Sequence, residues 1–309
     1  HSKRGTFALK EMKYPQEEFA FIAGAMAHVQ QNGFRQTNSF LPTRKGDLCL
    51  VVNGRRWTLS PWLKGREASY TRKEDCLLAA DTLAQLHTAS CHYKPYYFKG
   101  RVKWGELPQN FARKIRQLQE WELLAKEQKD FFADLYRANL TQNLQLAKKA
   151  YALLFEKDAY RKLNAEEEQK SGFCHHDYAP HNIMIDENHS AYVIDFDYCI
   201  SDTSCHDFAS FLQRILRVNA WRTNFAKAAY PIYTEGKPLP PGNGSVLAAL
   251  LLFPQNYWQI AFTYYVEQNQ PAMRQIRRLT DWQEETALRV SALEEMAELC
   301  QSKGDRQCR

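Results

Sequence analysis

Apolar positions in the first sixty residues follow two different periods. Thr6 to Lys10 reads as a short apolar strand, and after Pro15 the residues Phe19, Ile22, Met26 and Val29 recur at helical spacing. Pro15 with Glu17 and Glu18 opens that helix, and Asn32-Gly33 closes it. Two further strands are predicted over Asp47–Val52 and Arg55–Leu59, joined by Asn53-Gly54, a dipeptide that accepts two successive left-handed turn positions. Ser60-Pro61-Trp62-Leu63-Lys64-Gly65 then breaks the strand period and is expected to form a hinge. Beyond it, Thr71-x-x-Glu74 reads as a capping box for a helix carrying Leu77, Leu78, Leu83 and Leu86. Helical spacing dominates the remainder, over about 109–163, 203–219, 246–268 and 281–300, with a Pro/Gly loop from Lys237 to Gly244. The expected organisation is therefore α+β and bilobal: a small sheet lobe over residues 1–63 and a large, mostly helical lobe over 64–309.

Composition agrees with an ordinary folded chain. With 309 residues, 44% hydrophobic and 25% charged, it excludes a disordered, collagen-like or small disulfide-stapled protein. Lys and Arg number 41 and Asp and Glu 35, so 41 − 35 gives a net +6, too weak a bias to argue for nucleic acid as a partner. Arg113, Lys114 and Arg116 read as a solvated helix face. No apolar run approaches the ~20 residues of a membrane-spanning helix and no secretory pattern opens the chain, so a cytoplasmic protein without a membrane partner is expected. Eight scattered cysteines without a C-x-x-C pair fit reduced thiols.

The chemistry concentrates between Cys174 and Asp197. Ile183-Met184-Ile185 and Tyr192-Val193-Ile194 flank a polar turn and predict a short antiparallel hairpin. Pairing Ile183 with Ile194 and Ile185 with Tyr192 would set Asn182 opposite Asp195, where a hard cation could bridge them. Asp177 lies five residues before Asn182 on the approach to the hairpin. A loop carboxylate beside an amide and a second carboxylate is what phosphoryl transfer needs: one group orients the hydroxyl nucleophile, and two oxygen ligands hold Mg²⁺ on the nucleotide. His175-His176-Asp177, Asn182 and Asp195-Phe196-Asp197 reproduce the spacing of the kinase catalytic loop, and Ala8-Leu9-Lys10 is similar to the strand that presents the phosphate-binding lysine. Glu18, with Glu17 as the alternative, is the expected ionic partner of Lys10.

At these residues the sequence resembles the aminoglycoside/choline phosphotransferase branch of the protein-kinase-like fold. Asp202-Thr203-Ser204-Cys205-His206-Asp207-Phe208-Ala209 fits that branch's later acidic element. Trp62-Leu63-Lys64-Gly65-Arg66-Glu67, the helix end Leu83–Ser90 and Asp195-Phe196-Asp197 resemble in particular the CotS-type endospore coat proteins. The resemblance implies ATP and Mg²⁺ as cofactors, Asp177 as catalytic base, Asn182 and Asp195 as metal ligands, and Lys10 on the nucleotide phosphates. It further implies that Ser60, Trp62 and Leu63 offer backbone hydrogen bonds to adenine, that Asp202 and Asp207 brace the catalytic loop, and that coat proteins are partners in a spore-coat setting. Two departures stand out. Nothing before Thr6 supplies a glycine-rich phosphate lid, and His176 replaces the small residue expected before the catalytic Asp.

Two other readings compete. His175, His176, Asp177 and His181 could together hold zinc in a hydrolase. A coat protein could also keep the kinase shape without turnover. Tyr96-Tyr97-Phe98 beside Lys99 and Arg101 offers a possible stacking surface for a nucleobase, whereas Tyr257, Trp258, Phe262, Tyr264 and Tyr265 have helical spacing and read mostly as core.

Overall fold

The Asn53-Gly54 turn organises the first sheet. In the computed structural model, which describes residues 5–95, 99–128 and 130–304, Asn53 and Gly54 both take positive φ (50° and 74°). They join β2 (Leu50–Val52) to β3 (Arg55–Pro61) antiparallel, with Val52 opposite Arg55. On its other side β3 receives β1 (Phe7–Met12) in the register Ala8↔Ser60 and Lys10↔Thr58. The strand pattern thus runs two residues, Ser60 and Pro61, into the expected break, and the Trp62 N–H extends it by donating to the Thr6 carbonyl at 3.1 Å. Pro15 opens α1 (Gln16–Gln31), whose buried stripe of Phe19, Ile22, Met26 and Val29 has the expected spacing, and Phe19 and Ala23 pack with Met12 beside the sheet.

Two local expectations fail for identifiable reasons. The capping box does not form: α2 (Lys73–Ala89) starts without a side-chain cap, and the Thr71 hydroxyl pairs with Ser69 instead. Asp75 in the first turn replaces the capping interaction, binding Arg66 through both carboxylate oxygens (2.6 and 2.7 Å) and the Ser69 N–H (2.8 Å). The second sheet is built from β4 (Arg66–Glu67), β5 (Ile183–Ile185) and β6 (Ala191–Val193). Its hairpin is one residue out of the expected register: Ile183 pairs with Val193, Met184 with Tyr192 and Ile185 with Ala191. Burial decides this, because Ile183, Ile185, Ala191 and Val193 then share one buried face, and a one-residue slip would turn half of them to the other side. The Asp186 carboxylate fixes the turn by accepting from the Asn188 and Ser190 N–H groups.

The chain divides into two compact units, residues 1–104, 165–219 and 224–239 in the first and 105–164, 220–223 and 240–309 in the second. Both sheets, α1, α2, α6 (Cys205–Val218) and α7 (Asn224–Gly236) lie in the first. No strand or helix signal marked α7, which contains Pro231, but its Ala226, Ala229, Tyr230 and Tyr233 form a helical buried stripe, and Gly236 passes so close to α2 that a Cβ would meet Ala84 at 3.0 Å. The second unit carries α3 (Leu107–Glu127), α4 (Phe131–Leu153), the start of α5 (Ala159–Lys170), α8 (Asn243–Leu252), α9 (Gln255–Phe262), α10 (Ala272–Glu284) and α11 (Thr286–Gly304). Here 246–268 is not one helix. It breaks at Phe253-Pro254 and ends in a π-helical turn, Thr263–Glu267. Tyr257, Trp258, Phe262, Tyr264 and Tyr265 belong to this unit's aromatic core with Trp121, Phe132 and Tyr136. The cluster Tyr96-Tyr97-Phe98 and Cys308 lie outside the described residues.

Candidate active site

The loop that carries Asp177 is held from behind by one buried carboxylate. Asp207, in the first turn of α6, accepts from the backbone N–H groups of His175 (2.6 Å) and His176 (2.7 Å), and its Oδ2 also faces His87 Nε2 at 3.0 Å. Burial by itself would raise the Asp207 carboxyl, but the His87 hydrogen bond and nearby histidines overcome it and hold the pKa at about 2. Tyr233 completes the line on His87 Nδ1 at 2.8 Å. The bracing role that the resemblance implies for Asp207 is thus visible in its contacts. The Asp202 carboxylate accepts from the adjacent Thr203 N–H. His176 sits at φ 66°, a left-handed conformation that glycine adopts without strain, which explains why a small residue is expected there. His175 is fully buried, donates from Nε2 to the Ile194 carbonyl at 2.9 Å and packs edge-on against Phe196.

With the loop fixed, a single 3₁₀ turn, Pro180–Asn182, brings Asn182 back over Asp177. Asn182 Nδ2 donates to both the backbone oxygen (2.9 Å) and Oδ2 (3.0 Å) of Asp177. The amide's other end, Oδ1, is therefore the atom left to serve as a ligand. Because of the register shift Asn182 lies opposite Ile194, whose N–H donates to the Asn182 carbonyl at 2.9 Å, and not opposite Asp195 as expected. Asp195 leaves the ladder in a left-handed conformation (φ 62°, ψ 71°), which turns its carboxylate toward β1.

There Asp195 meets Lys10. Lys10 Nζ donates to Asp195 Oδ1 at 2.7 Å and lies 2.8 Å from Asp197 Oδ2. Burial would raise the Asp195 carboxyl, yet the hydrogen bond and charge of Lys10 outweigh it and lower its pKa. Lys10 responds in the opposite sense: burial pulls its pKa down, and the two carboxylates more than reverse that. Glu18, the expected partner of Lys10, binds Arg101 instead, at 2.6 Å to Nη2 and 3.1 Å to Nε. Arg101 outcompetes the lysine there because its guanidinium also reaches the carbonyls of Asp197 (2.7 Å) and Cys199 (3.0 Å).

Of the hinge residues, Ser60 is a buried ladder residue whose hydroxyl accepts from Asn38. Trp62 is 58% exposed with its N–H committed to Thr6, and Leu63 makes no backbone hydrogen bond among the described residues. The four residues of the zinc reading do not converge. Among the described residues, the group whose ligand atoms come within 4.8 Å of one another is His87, Cys174 and Asp207, all buried.

Two residues to which the sequence pattern gave no place beside Asp177, Asn182 and Asp195 complete the arrangement. Arg101 is one. The other is Arg214, two helical turns beyond Asp207 on α6, whose Nη2 lies 2.9 Å from Asp177 Oδ1. Its signal in the sequence is that i, i+7 spacing, by which one helix face both braces the loop and supplies a cation to its carboxylate.

Known proteins share this fold. The chain superposes on the crystal structure of an aminoglycoside phosphotransferase from Alicyclobacillus acidocaldarius with a TM-score of 0.82 at 22% identity, over 96% of this chain and 87% of that one. Spectinomycin phosphotransferase APH(9)-Ia, crystallised with ADP and spectinomycin, superposes at 0.67 with 12% identity, over 94% and 87%. Both likenesses show the fold, a kinase-like arrangement with a small antiparallel sheet and a mostly helical remainder. Spore coat protein S of Bacillus subtilis (strain 168) is 24% identical over 267 residues, covering 85% of this chain and 75% of that protein. Residues 2–239 match the phosphotransferase enzyme family (APH), well over half of the sequence, and the chain therefore belongs to that family.

Proposed function

We propose that this protein transfers the γ-phosphoryl group of ATP to a hydroxyl acceptor, with Mg²⁺ as the companion cation. The observation that carries the reading is the pairing of Asn182 with Asp177 beside a loop braced by Asp207, while Lys10 and Asp195 meet in the same compact unit. Asp177 would accept the hydroxyl proton and orient the nucleophile. Arg214 on Oδ1 and the Asn182 amide on Oδ2 fix the carboxylate plane, and each oxygen keeps a lone pair for the incoming hydroxyl. An amide oxygen at Asn182 and a carboxylate at Asp195 form a hard, oxygen-only donor set that suits Mg²⁺. The cation would neutralise phosphate charge. Lys10 would then turn from the acidic pair to the nucleotide, and the unpaired backbone of Leu63 is the hinge group best placed to hydrogen-bond adenine. Likeness to spore coat protein S supports an endospore coat setting, with coat proteins among the partners.

Calorimetry with Mg·ATP, followed by turnover in a panel of sugars, amino alcohols, aminoglycosides and coat-protein serines, tests the reading. Asp177→Asn is expected to abolish transfer while nucleotide affinity stays within about twofold, because its side chain serves the acceptor. Loss of both together would contradict the role given to Asp177. Failure of the wild type to bind nucleotide would leave the non-catalytic coat protein as the better account.

A further inference from the structure

Asp197 has no assigned task, yet it sits in the busiest contact of the site. Its Oδ2 lies 2.8 Å from Lys10 Nζ, its Oδ1 accepts from the Tyr14 hydroxyl at 3.0 Å, and its carbonyl accepts from Arg101 at 2.7 Å. Tyr14 and Arg101 therefore grip the residue from two sides, and Arg101 simultaneously occupies Glu18. The Lys10 ammonium, with Glu18 engaged elsewhere, is left between two carboxylates, Asp195 and Asp197.

We infer that Asp197 is a positioning residue for Lys10 that acts as a built-in phosphate substitute, holding the lysine by its carboxylate until nucleotide phosphate oxygens displace it. The inference rests on the phosphotransfer reading and adds a control on nucleotide affinity to it. A carboxylate and a phosphate oxygen offer an ammonium the same charge-assisted hydrogen bond, so the two compete directly for Lys10. Asp195 alone could neutralise Lys10, and the second carboxylate makes the resting contact stronger than a single pair. Tyr14 is suited to receive the carboxylate once the lysine leaves. It already donates to the same side chain, and burial together with the Asp197 charge pushes its own pKa upward, so it stays protonated as a donor. The Arg101–Glu18 contact keeps helix α1 from offering Lys10 the carboxylate that would release it from Asp197.

The test measures ADP affinity by calorimetry in the full chain, with Mg²⁺ and again with EDTA. Asp197→Asn keeps the size and the backbone contacts but removes the charge. It is expected to tighten ADP about twofold to fivefold, the range a partly exposed ion pair supports, and to do so equally with and without Mg²⁺. Tyr14→Phe, which removes the donor that receives the carboxylate once the lysine leaves, should shift affinity in the opposite direction by less. In turnover the gain should appear as a lower KM for ATP at unchanged kcat. If Asp197→Asn leaves affinity unchanged or weakens it in both conditions, Asp197 does not compete for Lys10. Weakening with Mg²⁺ alone would show it to be a metal ligand and overturn the inference while sparing phosphotransfer. If neither wild type nor variant binds ADP, both readings fall.

Discussion

Replacing Asp207 by Asn tests the brace that positions the catalytic loop. The wild-type carboxylate is 1% exposed and receives two backbone N–H donors and His87. Its pKa of about 2, against an ordinary 3.8, corresponds to about 2 kcal/mol of stabilisation of the ionised form in the folded state. An asparagine amide offers one acceptor oxygen, so its NH₂ faces either the His175 or the His176 N–H and leaves that donor buried without a partner, at a further cost of about 1–3 kcal/mol. The expected loss at pH 7 is therefore about 3–5 kcal/mol by urea unfolding. The sign with pH follows from a folded pKa below the unfolded one: the carboxylate's contribution is complete above about pH 5 and disappears as pH falls through the folded value. About half of its ~2 kcal/mol should be gone by pH 3, so wild type and variant converge on acidification. A loss below about 1 kcal/mol at pH 7, or a difference that stays constant down to pH 3, would refute the assignment of the brace to this charge.

Two further outcomes follow from contacts outside that brace. Arg214→Met removes the cation beside Asp177 Oδ1, and turnover should fall about tenfold to a hundredfold with ADP affinity unchanged, the loss expected for one charge-assisted bond; an equal loss of affinity would place Arg214 in nucleotide binding instead. Gly65→Ala places a methyl group 2.5 Å from the Ile185 carbonyl at a backbone φ of +155°, so β4 must separate from β5; circular dichroism melting should register a loss of at least about 2 kcal/mol, and a neutral substitution would show that this strand pair is dispensable.

What was legible in the sequence was local. The Asn53-Gly54 turn, the helical stripe of α1 and the Asp177–Asn182 spacing depend on residues within a few positions of one another, where backbone preference and period suffice. The capping box failed although it too is local, because Asp75 found a better arrangement with Arg66 and Ser69 than Thr71 could offer the helix end. The hairpin register was open in the sequence, since Val193 and Ile194 are equally β-prone, and burial of the Ile183 and Ile185 face decided between them. Choice of ionic partner belongs wholly to the tertiary structure. Lys10 could satisfy Glu18 or the acidic pair 185 and 187 residues away, and Arg101, whose fork reaches Glu18 and two carbonyls together, removed the first option. Spacing along a chain can name the groups that do chemistry, but a side chain's charge partner is set by three-dimensional competition among all the donors that folding brings within reach.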